Sequence, residues 1–161
     1  MAYSCNVPVP TRVSKLARGL ASEVFEPQRR DRHTLVAKRL GEGDTGTLTR
    51  QVRDAIAGQP PFAARVTGVD AFDDPPMGTG PVVYLAVESP GLQRLHAALC
   101  ERFDLVGDIE GEEYVPHVTI ARGGDAARLV GREVDLEWTV DSVFVWSAAY
   151  SERVERISLP A

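Results

Sequence analysis

Residues 81–88, Pro-Val-Val-Tyr-Leu-Ala-Val-Glu, limit the possible folds more than any other stretch. Val82 to Val87 form an unbroken apolar and aromatic run, with Gly80-Pro81 before it and Ser89-Pro90 soon after. A run this short, bounded by turn and cap residues, reads as a strand. Its near-continuous apolarity places it centrally in a sheet. Ser89 then offers a capping hydroxyl and Pro90 suits the first helical position, so a helix follows at once. Leu92, Leu95, Leu99 and Phe103 give that helix one buried stripe.

The rest of the chain alternates in the same way. Ser4–Pro10 reads as a strand, and Thr11 is placed to cap a helix whose stripe is Val13, Leu16, Ala17, Leu20 and Val24. Residues 26–32 read as a polar loop containing Pro27, and 33–40 as a second strand closed by Gly41-Glu42-Gly43-Asp44. Leu48, Val52, Ala55 and Ile56 mark a helix, Phe62–Phe72 a strand with a bulge at Gly68, and 73–80 a turn-rich loop. After an acidic loop at 108–113 comes a strand to Arg122, then a short helix at 126–130 and strands at 134–140, 142–150 and 154–159. The order is βαβα ββα βα βββ, which reads as a degenerate duplication in one domain spanning 1–161.

Within this order, Tyr114–Arg122 carries the first candidate chemistry. Val118 and Ile120 alternate with His117, Thr119 and Ala121, so one face is aliphatic and the other presents His117 and Thr119 together. Parity places Arg122 opposite that pair. Upstream, Arg32-His33-Thr34-Leu35 opens another apolar strand that also ends at a glycine turn. Of the three histidines, two fall in these matching settings, and the third, His96, lies beside the stripe of its helix as a structural residue.

Bulk properties narrow the classes. No apolar run approaches the ~20 residues of a membrane span, and no basic-then-apolar leader opens the sequence, so a cytoplasmic protein is expected. Cys5 and Cys100 are too few for a disulfide framework and read as buried thiols. A net charge of −5 argues against a general nucleic-acid coat, although Arg29, Arg30, Arg32, Lys38 and Arg39 cluster around the first histidine as a local basic patch.

Two imidazoles facing one another across a groove suit phosphodiester chemistry, one accepting a proton from water and the other giving one to the leaving oxygen. Thr119 and Arg122 on one side, with Thr34 and Lys38 on the other, are candidates to bind the non-bridging oxygens. No Cys, His or acidic cluster has metal-ligand spacing and no Gly-x-x-x-x-Gly-Lys loop occurs, so no metal or cofactor is expected.

These residues resemble the two-histidine phosphoesterases, the superfamily of RNA 2′,3′-cyclic phosphodiesterases also called 2′-5′ RNA ligases. That family carries His-x-Thr/Ser-x motifs in each of two lobes. His117-Val118-Thr119-Ile120-Ala121-Arg122 is similar to the second motif, trailing Arg included. The resemblance implies a bilobal α+β fold. Two antiparallel-rich sheets would be related by a pseudo-twofold about a central groove, with helices outside. It implies metal-independent opening of 2′,3′-cyclic phosphate ends of RNA to 2′-phosphate, with ligation as the reverse reaction. His33 and His117 would be catalytic, and the partners would be RNA ends or nucleotides acting on a monomer.

The first motif departs from the family pattern, because Thr34 directly follows His33. Three readings stay open: a bulge turning both residues inward, His33 acting without its Thr, or Arg32 standing in the site. His33 is taken as catalytic because it sits at an adjustable loop-to-strand junction. Two other functions stand beside this one: a module that binds RNA ends without cleaving them, favoured by Arg32 in the groove, and a phosphodiesterase of small cyclic nucleotides.

Overall fold

The computed structural model describes residues 2–25, the backbone of 28–29, and residues 32–75 and 80–160. The elements are β1 Tyr3–Val7, α1 Thr11–Ala21, β2 Gln28–Arg29, β3 Leu35–Gly41, α2 Thr45–Ala55, β4 Phe62–Phe72, β5 Val82–Glu88, α3 Pro90–Cys100, β6 His117–Arg122, β7 Glu133–Val140, β8 Ser142–Ser147 and β9 Glu152–Ser158. Single 3₁₀ turns at Gly111–Glu113 and Ala126–Leu129 flank β6. The second of these replaces the expected short helix at 126–130. The loop expected at 26–32 contains β2, and the strand expected to reach Tyr150 stops at Ser147, where a turn with Ser151 at φ +47° reverses the chain into β9. Parts of the loops at 26–32 and 73–80 lie outside the described residues.

Two sheets result, ordered β3-β1-β8-β9 (sheet A) and β2-β6-β5-β4-β7 (sheet B), with every pairing antiparallel. Set aside β2, and the orders correspond term for term: β3 with β6, β1 with β5, β8 with β4, β9 with β7. The α+β fold and the duplication are therefore both present. As its composition requires, β5 is central, and Val83 and Leu85 are fully buried.

Ser89 caps α3 as expected, accepting from Leu92 N at 3.1 Å while donating to Ala63 O at 2.7 Å. Asp44 caps α2 by accepting from Thr47 N at 3.0 Å. At α1 the expectation fails: Thr11 is already helical, and Pro10 holds the cap position without a side-chain bond. One apolar core joins all three helices to both sheets. In it α1 lies against β6, α3 spans β3 and β4, and α2 meets β9. Cys5 belongs to this core and its thiol is pushed up to about 12 by burial, whereas Cys100 is only half-buried, its Sγ 3.4 Å from His96 Nε2. No helix among the described residues is long and apolar enough to cross a membrane.

Candidate active site

The helices cover one face of each sheet, and the site residues stand on the other. On β6, Val118 and Ile120 are fully buried toward the helices, while His117 and Thr119 are half-buried on the open face. His117 Nδ1 lies 2.7 Å from Val115 O. A carbonyl only accepts, so Nδ1 donates. This bond fixes the tautomer and leaves Nε2 as the basic nitrogen of the neutral ring. Phe72 and Tyr84 pack their rings against the imidazole, with centroids at 5.1 and 5.3 Å. Burial and the nearby Asp70 carboxylate raise the Tyr84 phenol, so it stays protonated at neutral pH. Sequence reading missed both aromatics. Tyr84 lies opposite Thr119 only through the pairing of β5 with β6, which no local signal announces.

A bulge corrects the placement of Arg122. Thr119 pairs with Tyr84, but Ala121 pairs with Val83 and Arg122 with Val82, so β6 holds one extra residue, Ile120. Ile120 and Ala121 both turn inward and are fully buried. Beyond them parity is reversed. Cross-strand partners share a face, so Arg122 stands with Val82, Tyr84, Thr119 and His117. The bulge thus brings His117, Thr119 and Arg122 onto one face.

A second bulge has the opposite effect on Lys38, whose predicted role in phosphate binding the structure contradicts. Asn6 pairs with Val36 and Cys5 with Lys38, leaving Ala37 as the extra residue, and this turns Lys38 to the helix side with Cys5. Lys38 is 0 % exposed. Its ammonium donates to Glu110 Oε1 at 2.6 Å, Asp104 O at 2.7 Å and Arg39 O at 2.7 Å, which uses all three of its protons. Glu110 also accepts from the amides of Val106 (2.8 Å) and Arg39 (2.9 Å). Burial alone would raise the Glu110 carboxyl. The Lys38 hydrogen bond and those two amides outweigh burial and hold it below the usual range.

This network fastens the loop before β6 onto β3. Beside it, His96 Nδ1 donates to Ala37 O at 2.7 Å, and Nε2 accepts from Gly111 N at 2.9 Å. Tyr114 stacks on His96 at 3.8 Å and donates its hydroxyl to Val36 O at 2.7 Å. Tyr114 is thereby committed to packing, and His96 is structural as expected.

Burial lowers the His96 imidazole, and burial together with the Arg18 cation lowers His33. A histidine whose folded pKa is depressed takes up its proton more readily in the unfolded chain. Its stabilising share is therefore whole above about 6.5 and is lost as pH falls from there. Glu110, also depressed, holds its share above about 4.5 and loses it at lower pH. Thermal melts are expected to shift downward from pH 6.5 toward 5, with a shallower slope in His96→Gln. An equal slope in that variant would remove His96 from the account.

At the first motif, residues 33 and 34 precede β3 without regular secondary structure. Leu35 and Ala37 are fully buried on the helix side, and the charge acting on His33 is that of Arg18 in α1. Arg32 and Thr34 are exposed. The Arg32 guanidinium lies over the Trp146 ring at 5.3 Å, and Trp146 pairs with Ser4 on the open face of sheet A. Of the remaining basic cluster, Arg30 and the Arg29 side chain lie outside the described residues.

Comparison with known proteins agrees with this geometry. Over residues 25–151 the chain matches the family model described as the 2′-5′ RNA ligase superfamily. A curated relative from Methanothermobacter thermautotrophicus, named RNA 2′,3′-cyclic phosphodiesterase, is 33% identical over 84 residues, which is 52% of this chain and 45% of that protein. The chain thus aligns with less than half the length of that relative. Among solved structures, TT0787 of Thermus thermophilus superposes with a TM-score of 0.76 at 22% identity, covering 100% of this chain and 99% of that one. Escherichia coli LigT, solved with NADP+, superposes with a TM-score of 0.70 at 18% identity, covering 99% and 98%. The sequence match, the paired sheets and the His-Val-Thr strand converge: the chain belongs to the 2′-5′ RNA ligase superfamily, the two-histidine phosphoesterases.

Proposed function

We propose that this protein is a metal-independent phosphodiesterase that opens 2′,3′-cyclic phosphate ends of RNA to 2′-phosphate. The observation that carries this reading is the fixed tautomer of His117, on one face with Thr119 and Arg122. Nε2 takes a proton from water as the water oxygen attacks phosphorus, the P–O3′ bond breaks, and the 3′ oxygen takes up a proton. Thr119 and Arg122 bind the non-bridging oxygens as their charge builds. The name of the archaeal relative supports the substrate class. Ligation to a 5′-hydroxyl is the same path in reverse and is minor in water. The protein acts as a monomer in the cytoplasm.

Across from His117, Arg32 takes the place of a second histidine in this proposal, and His33 supports the strand entry from the helix side. Arginine stays charged and stabilises the departing oxyanion, but it is a poor proton donor. Turnover is therefore slower than two imidazoles would give. The Arg32–Trp146 contact also favours a second reading, a module that holds RNA ends without cleaving them.

The test is hydrolysis of an oligoribonucleotide ending in a 2′,3′-cyclic phosphate, with a chelator present. Wild type should be active, His33→Ala should stay within about threefold, and Arg32→His should gain at least tenfold, within the 10²–10⁴ range of a general acid. Loss of activity in His33→Ala would assign the second proton transfer to His33. An inactive wild type that still binds the RNA end would establish the binding module.

A further inference from the structure

We propose that the open face of sheet A is a track for single-stranded RNA leading away from the reacting end. This rests on the reading of the site as one for RNA ends. The first observation is charge. By the pairing register, Arg39 stands beside Ser4, Arg153 beside Trp146 and Arg156 beside Phe144, all on the open face. Arg32 lies over the same surface. The only carboxylates in the four strands are Glu152 and Glu155. They pair with Ser147 and Val145 on the helix side, where Glu155 meets Arg53 of α2. A chain of net charge −5 therefore gathers four arginines on one face whose strands present no carboxylate there.

The second observation is the form in which these cations are held. The Arg153 guanidinium lies 4.1 Å from the Phe144 ring, and Arg32 lies over Trp146. Phe144 and Trp146 are neighbours on the open face of β8, with ring centroids 6.3 Å apart. A guanidinium held flat on an aromatic ring offers a plane on which a base can stack and N–H groups at its edge for phosphate. Pairs of this kind along a basic surface suit a single strand, whose bases are exposed for stacking, better than a duplex. The track is continuous with the proposed site, because Arg32 belongs to both and β3 abuts β6.

The test compares binding of an adenylate hexamer ending in a 3′-phosphate with binding of adenosine 3′-monophosphate, by calorimetry at several salt concentrations. The hexamer should bind at least tenfold tighter. Arg153→Ala/Arg156→Ala should bring it to within about twofold of the mononucleotide and reduce the salt slope of hexamer binding by about 1.4, at roughly 0.7 per phosphate contact on a single strand. Both arginines are exposed, so folding is preserved. Arg94→Ala/Arg102→Ala, on exposed positions of α3 and the turn after it, should keep the hexamer advantage. Equal binding of hexamer and mononucleotide, survival of the advantage in the Arg153/Arg156 variant, or its loss in the α3 control would each overturn the track. Failure of the phosphodiesterase reading is separate: it appears as no hydrolysis of cyclic ends at any length.

Discussion

Replacing His117 with alanine is expected to lower hydrolysis of 2′,3′-cyclic ends by 10²–10⁴-fold, the usual scale for a general acid or base. The magnitude should fall in kcat rather than KM, because Thr119 and Arg122 remain to bind the phosphate. Glutamine at this position tests the same point more sharply. It fills much of the space beside Phe72 and Tyr84 and can hydrogen-bond, but it cannot accept the proton of water. His117→Gln should therefore be as inactive as His117→Ala while melting near wild type. A loss under tenfold in either variant, with the fold intact, would leave His117 as a packing residue and move the chemistry elsewhere.

The largest effect on stability is expected from Glu110→Gln. The substitution preserves shape but leaves the Lys38 ammonium buried at 0 % exposure without its counter-charge. Breaking one side of a buried pair costs about 3–5 kcal/mol. For a domain of this size that is a fall in Tm of roughly 6–20 °C, at about 2–4 °C per kcal/mol. Removing both charges in Lys38→Met/Glu110→Met should recover part of the loss. Recovery stays incomplete, because the amides of Arg39 and Val106 lose their acceptor. Circular-dichroism melts at pH 7 decide it. A fall below about 2 °C in Glu110→Gln would mean that water reaches the ammonium.

What the sequence made legible was whatever is local. The apolar run of β5, the Ser89-Pro90 start of α3 and the Val118/Ile120 alternation of β6 each declare themselves within a few residues, and each appears where expected. Side-chain facing was lost at the bulges beside Ala37 and Ile120. A strand's parity is readable only until an extra residue enters it, and the sequence around Ala37 and Ile120 contains no glycine to mark the entry. Lys38 and Arg122 were accordingly assigned to each other's faces. Lys38 could not have been found from its neighbours, since its partner Glu110 is 72 residues away. The same distance problem hid the setting of Arg32, whose partner Trp146 lies in β8.

The strand order also fixes when each half of the molecule can be completed as the chain leaves the ribosome. Sheet B, apart from the two residues of β2, draws on residues 62–140, a continuous stretch whose neighbours in space are mostly neighbours in sequence. Sheet A joins β1, at residues 3–7, to β8 and β9, at 142–158. One edge of β1 thus waits until residues 142–147 have been synthesised before its partner exists. During that interval the nascent N-terminal segment presents an unpaired apolar strand containing Cys5 and Val7, the kind of edge that invites pairing with another chain. A chain of this plan depends on residues 142–158 to complete the surface that residues 3–7 begin.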